Sequence, residues 1–489
     1  MSNEERMQCK FSPLIYLISL LVVCPCIGQK RSKDNAVLSE IENGLTITAT
    51  LNGINGNYSI QDRMEYYGVP GVSISVMNGD KIDLKASYGV SRKKDEKGID
   101  SNTLFQAASI GKPITSFAIF RLVQSGLLSL DTDVNDYLKG WQIDYSNYSD
   151  TAKVTLRQII SHTSGLSRGS VAYYSIGEEI PDNEIDMLDA NPPAKLEPVK
   201  LEFEPGTDWS YSGGGYTVLQ KIIQDVLNVG FEKAMDSLVF KPLEMHRSFF
   251  DPSFSDTSTN VALGYNYDGT LVESGWMILT DLAAGGLWTT PNDILKFVSA
   301  FSTSLKGEAV GFLTKELADE MLDLGLFVDD KGTPTIFSFR GTNKGYRSEF
   351  IGFIENGRAN GAVVMTNSYN SRYLIQEILR SISNHYKWRY PFAKEPKEYS
   401  VVSLDDKKLF QFKGRYKSES RDYVIELTSR DSLLMVSREW NGRFTYMNPT
   451  SDSSFVDPTT LQEFAFLRNS SNEFTRLIIN GKSTYIKIK

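Results

Sequence analysis

Residues 105–126, FQAASIGKPITSFAIFRLVQSG, set the strongest limit on what this chain can fold into. Ile114, Phe117, Ala118, Ile119, Phe120, Leu122 and Val123 cover most of the circumference of one helix. A helix that is apolar on nearly every side belongs inside a protein, with other elements packed round it. The length of 489 residues provides those elements and predicts two or more folded units.

The head of the same helix carries Ser109 and Lys112. Positions i and i+3 share a helix face, so the two side chains meet. A serine hydroxyl is a poor nucleophile until a base takes its proton. A lysine can be that base only when burial or nearby positive charge lowers its pKa. The apolar helix supplies the burial, and its N-terminus turns backbone N–H groups toward a developing oxyanion. Pro113 is tolerated in the first turn, where its missing N–H costs little. A bare Ser-x-x-Lys recurs by chance in most chains this long, so the pair alone reads more readily as a solvated helix end. A second stretch adds weight: EPGTDWSYSGGGYTVLQ places Tyr211-Ser212-Gly213 between a loop and a helix start. Tyr211 there can relay a proton, or simply pack as core beside a tight glycine connection.

The pattern along the chain is mixed. GVSISVMNGDKIDLKASYGV alternates Val72, Ile74 and Val76 and turns at Asn78-Gly79-Asp80, which predicts a hairpin. VTLRQIISHTSGL carries a capping box, Thr155 with Gln158, and Gly165 as a stop. Val218, Leu219, Ile222, Ile223 and Val226 have helical spacing, and Thr290-Pro291 opens another helix. FSFRGTNKGYRSEFIGFIEN and GAVVMTNS read as strands. Residues 391–400 read as a linker. Beyond them come short strands with Asn441-Gly442 and Asn480-Gly481 turns, predicting a small all-β domain over residues 401–489.

Taken in order, SIGKPITSFAIFRLVQSGLLSLD, TLRQIISHTSGL, EPGTDWSYSGGGYTVLQKII, FKPLEM and AAGGLWTTPNDILKF resemble the serine β-lactamase-like superfamily. The nearest branches are class C β-lactamases, D,D-carboxypeptidases and esterases, and the resemblance covers roughly residues 60–385. It implies an α+β fold: an antiparallel sheet packed with helices beside a helical lobe, with the site between them, over residues 61–390. Residues 401–489 are similar to the small β-barrel-like domain that follows some of these hydrolases. By the same resemblance Ser109 is acylated, Lys112 activates it, Tyr211 is general base and acid, and His162 is structural.

Two departures shape the expected substrate. The second motif usually ends in asparagine, and Gly213 stands there instead. The third motif usually reads Lys or His, a small residue, then Gly. Here the ungapped match is Phe339-Arg340-Gly341, and a one-residue shift would make Arg340 the cation. Loss of the cation at Phe339 weakens the expected hold on a substrate carboxylate and tilts the expectation toward neutral esters. The backbone N–H groups of Ser109 and Thr342 form the oxyanion hole in this alignment, and backbone donors survive side-chain changes. A penicillin-binding D,D-peptidase or weak β-lactamase is the alternative enzyme, and a binding or sensor protein that has lost turnover is the alternative outside enzymes.

Other classes fare worse. The net charge of −8 and the absence of a basic block argue against nucleic acid. Gly165-Leu-Ser167-Arg-Gly169 spells G-x-S-x-G, with His246 and His385 as distant partners, but a capped helix precedes it where an elbow needs a strand. Three histidines, none spaced for a metal helix, give no reason to expect a metal or another cofactor. The partner expected is a small-molecule or peptide acyl substrate, and a monomer suffices for it. Residues 14–23 are an apolar core followed by CPCIGQ, which reads as a signal peptide over residues 1–28. The other reading is a retained membrane anchor, although the run is short for a span. Cleavage would remove Cys9, Cys24 and Cys26 and leave a cysteine-free chain in a bacterial periplasm or on its surface, with residues 29–60 as a leader.

Overall fold

A computed structural model describes residues 33–488 except 54–55, 168, 170, 257, 309–311, 326–327, 331–334, 389–396, 431–432 and 440–443. The signal segment, most of the linker and the Asn441-Gly442 turn lie outside the described residues. Among the described residues the chain opens with α1 (Lys33–Glu42), β1 (Ala49–Leu51) and α2 (Ile60–Tyr67). The hairpin β2 (Gly71–Asn78) and β3 (Lys81–Arg92) follows, then β4 (Lys97–Gly98) and β5 (Phe105–Gln106). Gly79 and Asp80 both take positive φ at the hairpin turn, 63° and 70°, which matches the twist of the strands. The middle of the chain is mainly helical: α3 (Gly111–Gln124), α4 (Leu156–Ile160), α5 (Glu184–Asp189), α6 (Gly213–Leu227) and α7 (Phe231–Met235). It continues through β6 (Phe249–Phe250), α8 (Leu282–Gly285), β7 (Leu287–Thr289), α9 (Pro291–Leu305) and α10 (Lys315–Asp323). The chain then returns to strands β8 (Val328–Asp330), β9 (Thr335–Asn343), β10 (Tyr346–Glu355) and β11 (Arg358–Thr366), and α11 (Arg372–Tyr386) and β12 (Lys397–Tyr399) close this part.

Seven strands form an antiparallel sheet in the order β4-β3-β2-β11-β10-β9-β8. Its two faces follow the period of two expected for strands. Val72, Ile74 and Val76 of β2, Ile351 and Phe353 of β10 and Val364 of β11 pack against α1, α2 and α11. Phe337, Phe350, Val363 and Met365 face the other way, into the helical lobe with Phe117 of α3 and Phe297 of α9. There α3 lies fully enclosed, as its composition requires: Ile114, Phe117, Ala118, Ile119 and Phe120 are all 0% exposed. This is the β-lactamase/transpeptidase-like arrangement, and an eight-stranded closed barrel of residues 414–488 follows it as the small all-β unit.

Three local expectations need correction. The leader expected over residues 29–60 carries regular structure in its described part. Val37, Leu38 and Ile41 give α1 an apolar face that packs with α11, and Leu45 is fully buried. The described end of the linker is a strand, since β12 pairs in parallel with β1. The helix after the Thr155–Gln158 capping box ends at Ile160, and His162 takes the left-handed turn (φ 61°) before Gly165 is reached.

Candidate active site

Ser109 stands on a 3-10 turn, Ala108–Ile110, between β5 and α3. Ala108 has φ of 53°, a region that residues with side chains seldom occupy, so the surrounding structure must hold it there. β7 pairs with β5 on one side. On the other, β9 comes so close that a Cβ added at Gly341 would lie 1.9 Å from the Ala107 carbonyl oxygen. Glycine at 341 is thus a steric requirement of the Ser109 turn.

Three predicted residues meet here. The Tyr211 hydroxyl donates to Ser109 Oγ at 3.0 Å, and Lys112 Nζ donates to the same atom at 3.4 Å. Lys112 is 1% exposed, and its Nζ also donates to the Ala284 carbonyl at 2.7 Å. Nζ lies 4.9 Å from the centre of the Tyr211 ring and 5.3 Å from that of Tyr216. Burial pulls the Lys112 pKa below that of an ordinary amine. Tyr211, by charge and hydrogen bond, and then Asp281, by charge, oppose the fall without cancelling it.

Tyr211 is held by its neighbours in sequence and space. Ser212 caps α6 by accepting from the Gly215 N–H at 2.8 Å and donates to the Ser167 carbonyl at 2.9 Å. Its own N–H donates to His162 Nδ1 at 3.1 Å. The His162 ring lies 4.5 Å from the Tyr211 ring, and burial, then the Lys112 charge, push the imidazole down to about 3. Gly213 is the first residue of α6 and offers no side chain where the family places an amide. Trp209, 62% exposed, stands beyond His162 with ring centres 6.0 Å apart.

β9 brings the third motif alongside. Phe339, opposite Phe350, is partly buried and packs against the helical core. Arg340 lies on the opposite face, beside Glu349 with 2.9 Å between Nε and Oε1. The strand's alternation therefore keeps Arg340 away from the face that Phe339 and Gly341 share. Among the described residues β8 pairs with β9 only at Ile336 and Phe337, and none pairs with the edge from Phe339 to Thr342. Backbone groups on such an edge are available to a bound carbonyl or peptide. Arg347, across from Thr342, donates to Thr342 Oγ1 at 3.1 Å, to the Tyr369 carbonyl at 2.7 Å and to the Tyr267 hydroxyl at 3.1 Å.

The rival serine is placed quite differently. Ser167 is 5% exposed, donates to the Pro198 carbonyl at 3.3 Å and accepts from the Lys200 N–H at 3.0 Å. Among the described residues no strand–helix elbow surrounds it. His385 pairs with Glu40 at 2.7 Å, and His246 lies exposed after α7. Among the described residues no group of three His, Cys, Asp or Glu side chains is placed to hold a metal ion. No helix among them is long and apolar enough to cross a membrane.

Sequence reasoning passed over several residues. Asp281 and Ala284 lie far from Lys112 in sequence and carry no motif of their own. Asn343 Nδ2 donates to Gln106 Oε1 at 3.2 Å and to the Gly285 carbonyl at 3.1 Å, tying the end of β9 to β5 and α8. Only the spelling of AAGGLW, already singled out by resemblance, marked this neighbourhood. In chemical terms the cluster offers a hydroxyl nucleophile, a desolvated amine, a phenol that can shuttle a proton and an open strand edge.

Comparison with known proteins identifies the family and the fold. The family model described as Beta-lactamase matches residues 59–379. Protein flp of Staphylococcus aureus (strain N315) is 26% identical over 228 residues, which are 46% of this chain and 44% of that protein. The match thus spans less than half the length of that curated relative. Penicillin-binding protein 4* of Bacillus subtilis (strain 168) is 23% identical over 373 residues, 70% of this chain and 78% of that protein. The octameric penicillin-binding protein homologue from Pyrococcus abyssi has the same fold, with a TM-score of 0.55 at 18% identity, covering 88% of this chain and 98% of that one.

Proposed function

The chain belongs to the Beta-lactamase family, and from that premise we propose that it is an exported serine hydrolase that turns over a neutral ester or amide through an acyl group on Ser109. The observation that carries this reading is the convergence of the Tyr211 hydroxyl and the buried Lys112 Nζ on one atom, Ser109 Oγ. With Lys112 neutral, its amine takes the Ser109 proton, helped by Tyr211, as Oγ attacks the substrate carbonyl carbon. The carbonyl oxygen gains the negative charge and is met by the backbone N–H groups of Ser109 and Thr342. Tyr211 delivers the proton to the leaving group as its bond to carbon breaks. It then takes a proton from water, whose oxygen bonds to the acyl carbon as the bond to Ser109 Oγ breaks; Lys112 returns its proton to Oγ and the acid is released.

Phe339 supports the neutral substrate. It puts a ring on the strand face where relatives of the penicillin-binding type place a cation, and Arg340 is turned away toward Glu349. The apolar residues 14–23 support the export. Hydrolysis of a p-nitrophenyl ester tests the assignment. Ser109→Ala should lose roughly 10,000-fold or more in kcat, and Ser167→Ala should stay within about twofold of the parent. The opposite pattern would place the nucleophile at Ser167. The second reading is a penicillin-binding peptidase, favoured by the name of the Bacillus subtilis relative. Stable one-to-one labelling of Ser109 by a penicillin would choose it over the esterase.

A further inference from the structure

α8 is only four residues long, yet two other parts of the molecule are fastened to its N-cap, Asp281. Asp281 is 1% exposed. Oδ1 accepts the Thr217 hydroxyl of α6 at 2.6 Å, and Oδ2 accepts the Ala172 N–H of the segment after α4 at 3.1 Å. Its backbone carbonyl accepts from Ala284 N–H at 3.2 Å and from Gly285 N–H at 3.0 Å. The carbonyl of the same Ala284 receives Lys112 Nζ at 2.7 Å. The carbonyl of Gly285 receives Asn343 of β9. The place of the Ala284 oxygen, and with it the place of the amine, is therefore set by where the Asp281 carboxylate is anchored.

We propose that Asp281 is a positioning residue for Lys112: it fixes the carbonyl that holds the amine and supplies the buried negative charge that the amine faces. The proposal rests on the Ser109 hydrolase reading. From α6, Lys112 is faced by the Tyr216 ring and from the loop before it by Tyr211. From the segment after α4 it is faced by His162, from the 3-10 turn by Ser109, and from α8 by Asp281 and the Ala284 carbonyl. Around Asp281 stand Thr217, Ala172, Lys112 and Tyr174, with Glu184 reached through Gln220. A buried carboxylate favours the ammonium over the amine. Burial pulls the lysine one way, Tyr211 and then Asp281 pull it the other, and their balance sets the pH at which it can accept the Ser109 proton.

The fold offers a clean way to remove the charge alone. In Asp281→Asn the amide oxygen can still accept from Ala172, and its Nδ2 can donate to Thr217 Oγ1. The Thr217 hydroxyl has a second acceptor waiting, the Gly213 carbonyl at 3.4 Å. Asp281→Glu does the reverse: it keeps the charge and shifts the anchor.

The test is the rate at which a fluorophosphonate labels Ser109, followed by intact mass from pH 5 to 10 on the full chain. In that reaction Ser109 Oγ bonds to phosphorus, the P–F bond breaks, fluoride leaves and the serine proton goes to Lys112. The acid-side midpoint of the Asp281→Asn profile is expected about 0.5 to 1 pH unit below that of the parent, because loss of the carboxylate makes the free amine available earlier. Asp281→Glu is expected to keep the parent midpoint and label about tenfold more slowly. A merely structural role would lower the Asp281→Asn rate equally at every pH, and an unmoved midpoint overturns the proposal. A parent-like rate in Asp281→Glu overturns its positioning half, and stands as the deciding result should Asp281→Asn not fold. A parent chain that Ser109→Ala leaves equally labelled would overturn the hydrolase reading itself, a different failure from either of these.

Discussion

His162 is kept neutral by its surroundings, and the stability of the fold should record it. Its ring packs on Tyr211, its Nδ1 accepts from Ser212, and burial with the Lys112 charge holds its pKa at about 3. The unfolded chain binds this proton near pH 6.5 and the native chain does not until far lower pH. Stability from this group is therefore complete above about pH 6.5 and falls away as pH drops toward 3, by up to about 5 kcal/mol in all. His162→Gln keeps an acceptor for Ser212 and has nothing to titrate. Urea unfolding of parent and variant at pH 7 and pH 4 should show a smaller loss between the two pH values in His162→Gln, and equal losses would show that another group governs the acid limb. At this scale the sequence was readable where contacts are local. Ser109 on its 3-10 turn and Lys112 in the first turn of α3 are three positions apart, so spacing alone put them together. Tyr211 is over a hundred positions away and needed the resemblance. Asp281 stayed hidden because it reaches Lys112 only through charge and a backbone carbonyl, and neither leaves a pattern in the order of residues.

β9 shows what an element can decide that a motif cannot. In the sequence, Phe339 and Arg340 compete for one place, because a one-residue shift of the alignment exchanges them. In a strand that shift changes faces. The register Phe339–Phe350 and Arg340–Glu349 puts the ring toward the helical lobe and the guanidinium on the other side. The face was readable only once the pairing with β10 was known. Gly341 makes the strand a clamp as well. Its missing Cβ lets β9 reach Ala107 and Ala108, whose strained turn presents Ser109. Gly341→Ala should push strand and turn apart, costing about 1–3 kcal/mol in stability and about 100-fold in kcat on a p-nitrophenyl ester. Thermal unfolding and steady-state kinetics check both numbers. A variant with full kcat would show that the close approach of β9 is not needed to present Ser109. Elsewhere, turn and cap chemistry made elements legible: Asn78-Gly79-Asp80, the Thr155–Gln158 box and Thr290-Pro291 each appear where their local physics places them.

At the scale of the whole molecule the open matter is how the barrel is held. Strand texture and turns were enough to foresee an all-β unit, but not its docking, because the contacts at its centre join residues hundreds of positions apart. A buried polar knot forms the centre. Arg63 of α2 donates through Nε and Nη2 to both oxygens of Glu377 on α11, at 2.7 and 2.8 Å. The Tyr67 hydroxyl accepts from Arg63 at 2.7 Å and donates to Glu377 at 2.7 Å. Thr459, from the loop after β17 (Ser454–Val456), brings its Oγ1 within 3.3 Å of that hydroxyl. Arg63 and Glu377 are 4% and 3% exposed. Beside the knot, Tyr66 packs on Tyr446 of β16 (Phe444–Pro449) with ring centres 5.2 Å apart. An exposed pair, Lys397–Glu463 at 2.7 Å, sits at the edge of the same contact. The two pairs have similar lengths and should differ greatly in effect. Glu377→Gln strands a buried guanidinium and should cost about 3–5 kcal/mol, whereas Lys397→Ala removes a solvated, screened partner and should cost no more than about 1 kcal/mol. Because Arg63 and Tyr67 touch both Glu377 and the barrel loop, amide exchange in β16 and β17 should quicken in Glu377→Gln well beyond its change in Lys397→Ala. Equal costs, or barrel exchange that ignores Glu377→Gln, would mean that the rim and the β1–β12 pair, not the buried knot, keep the barrel on the hydrolase domain.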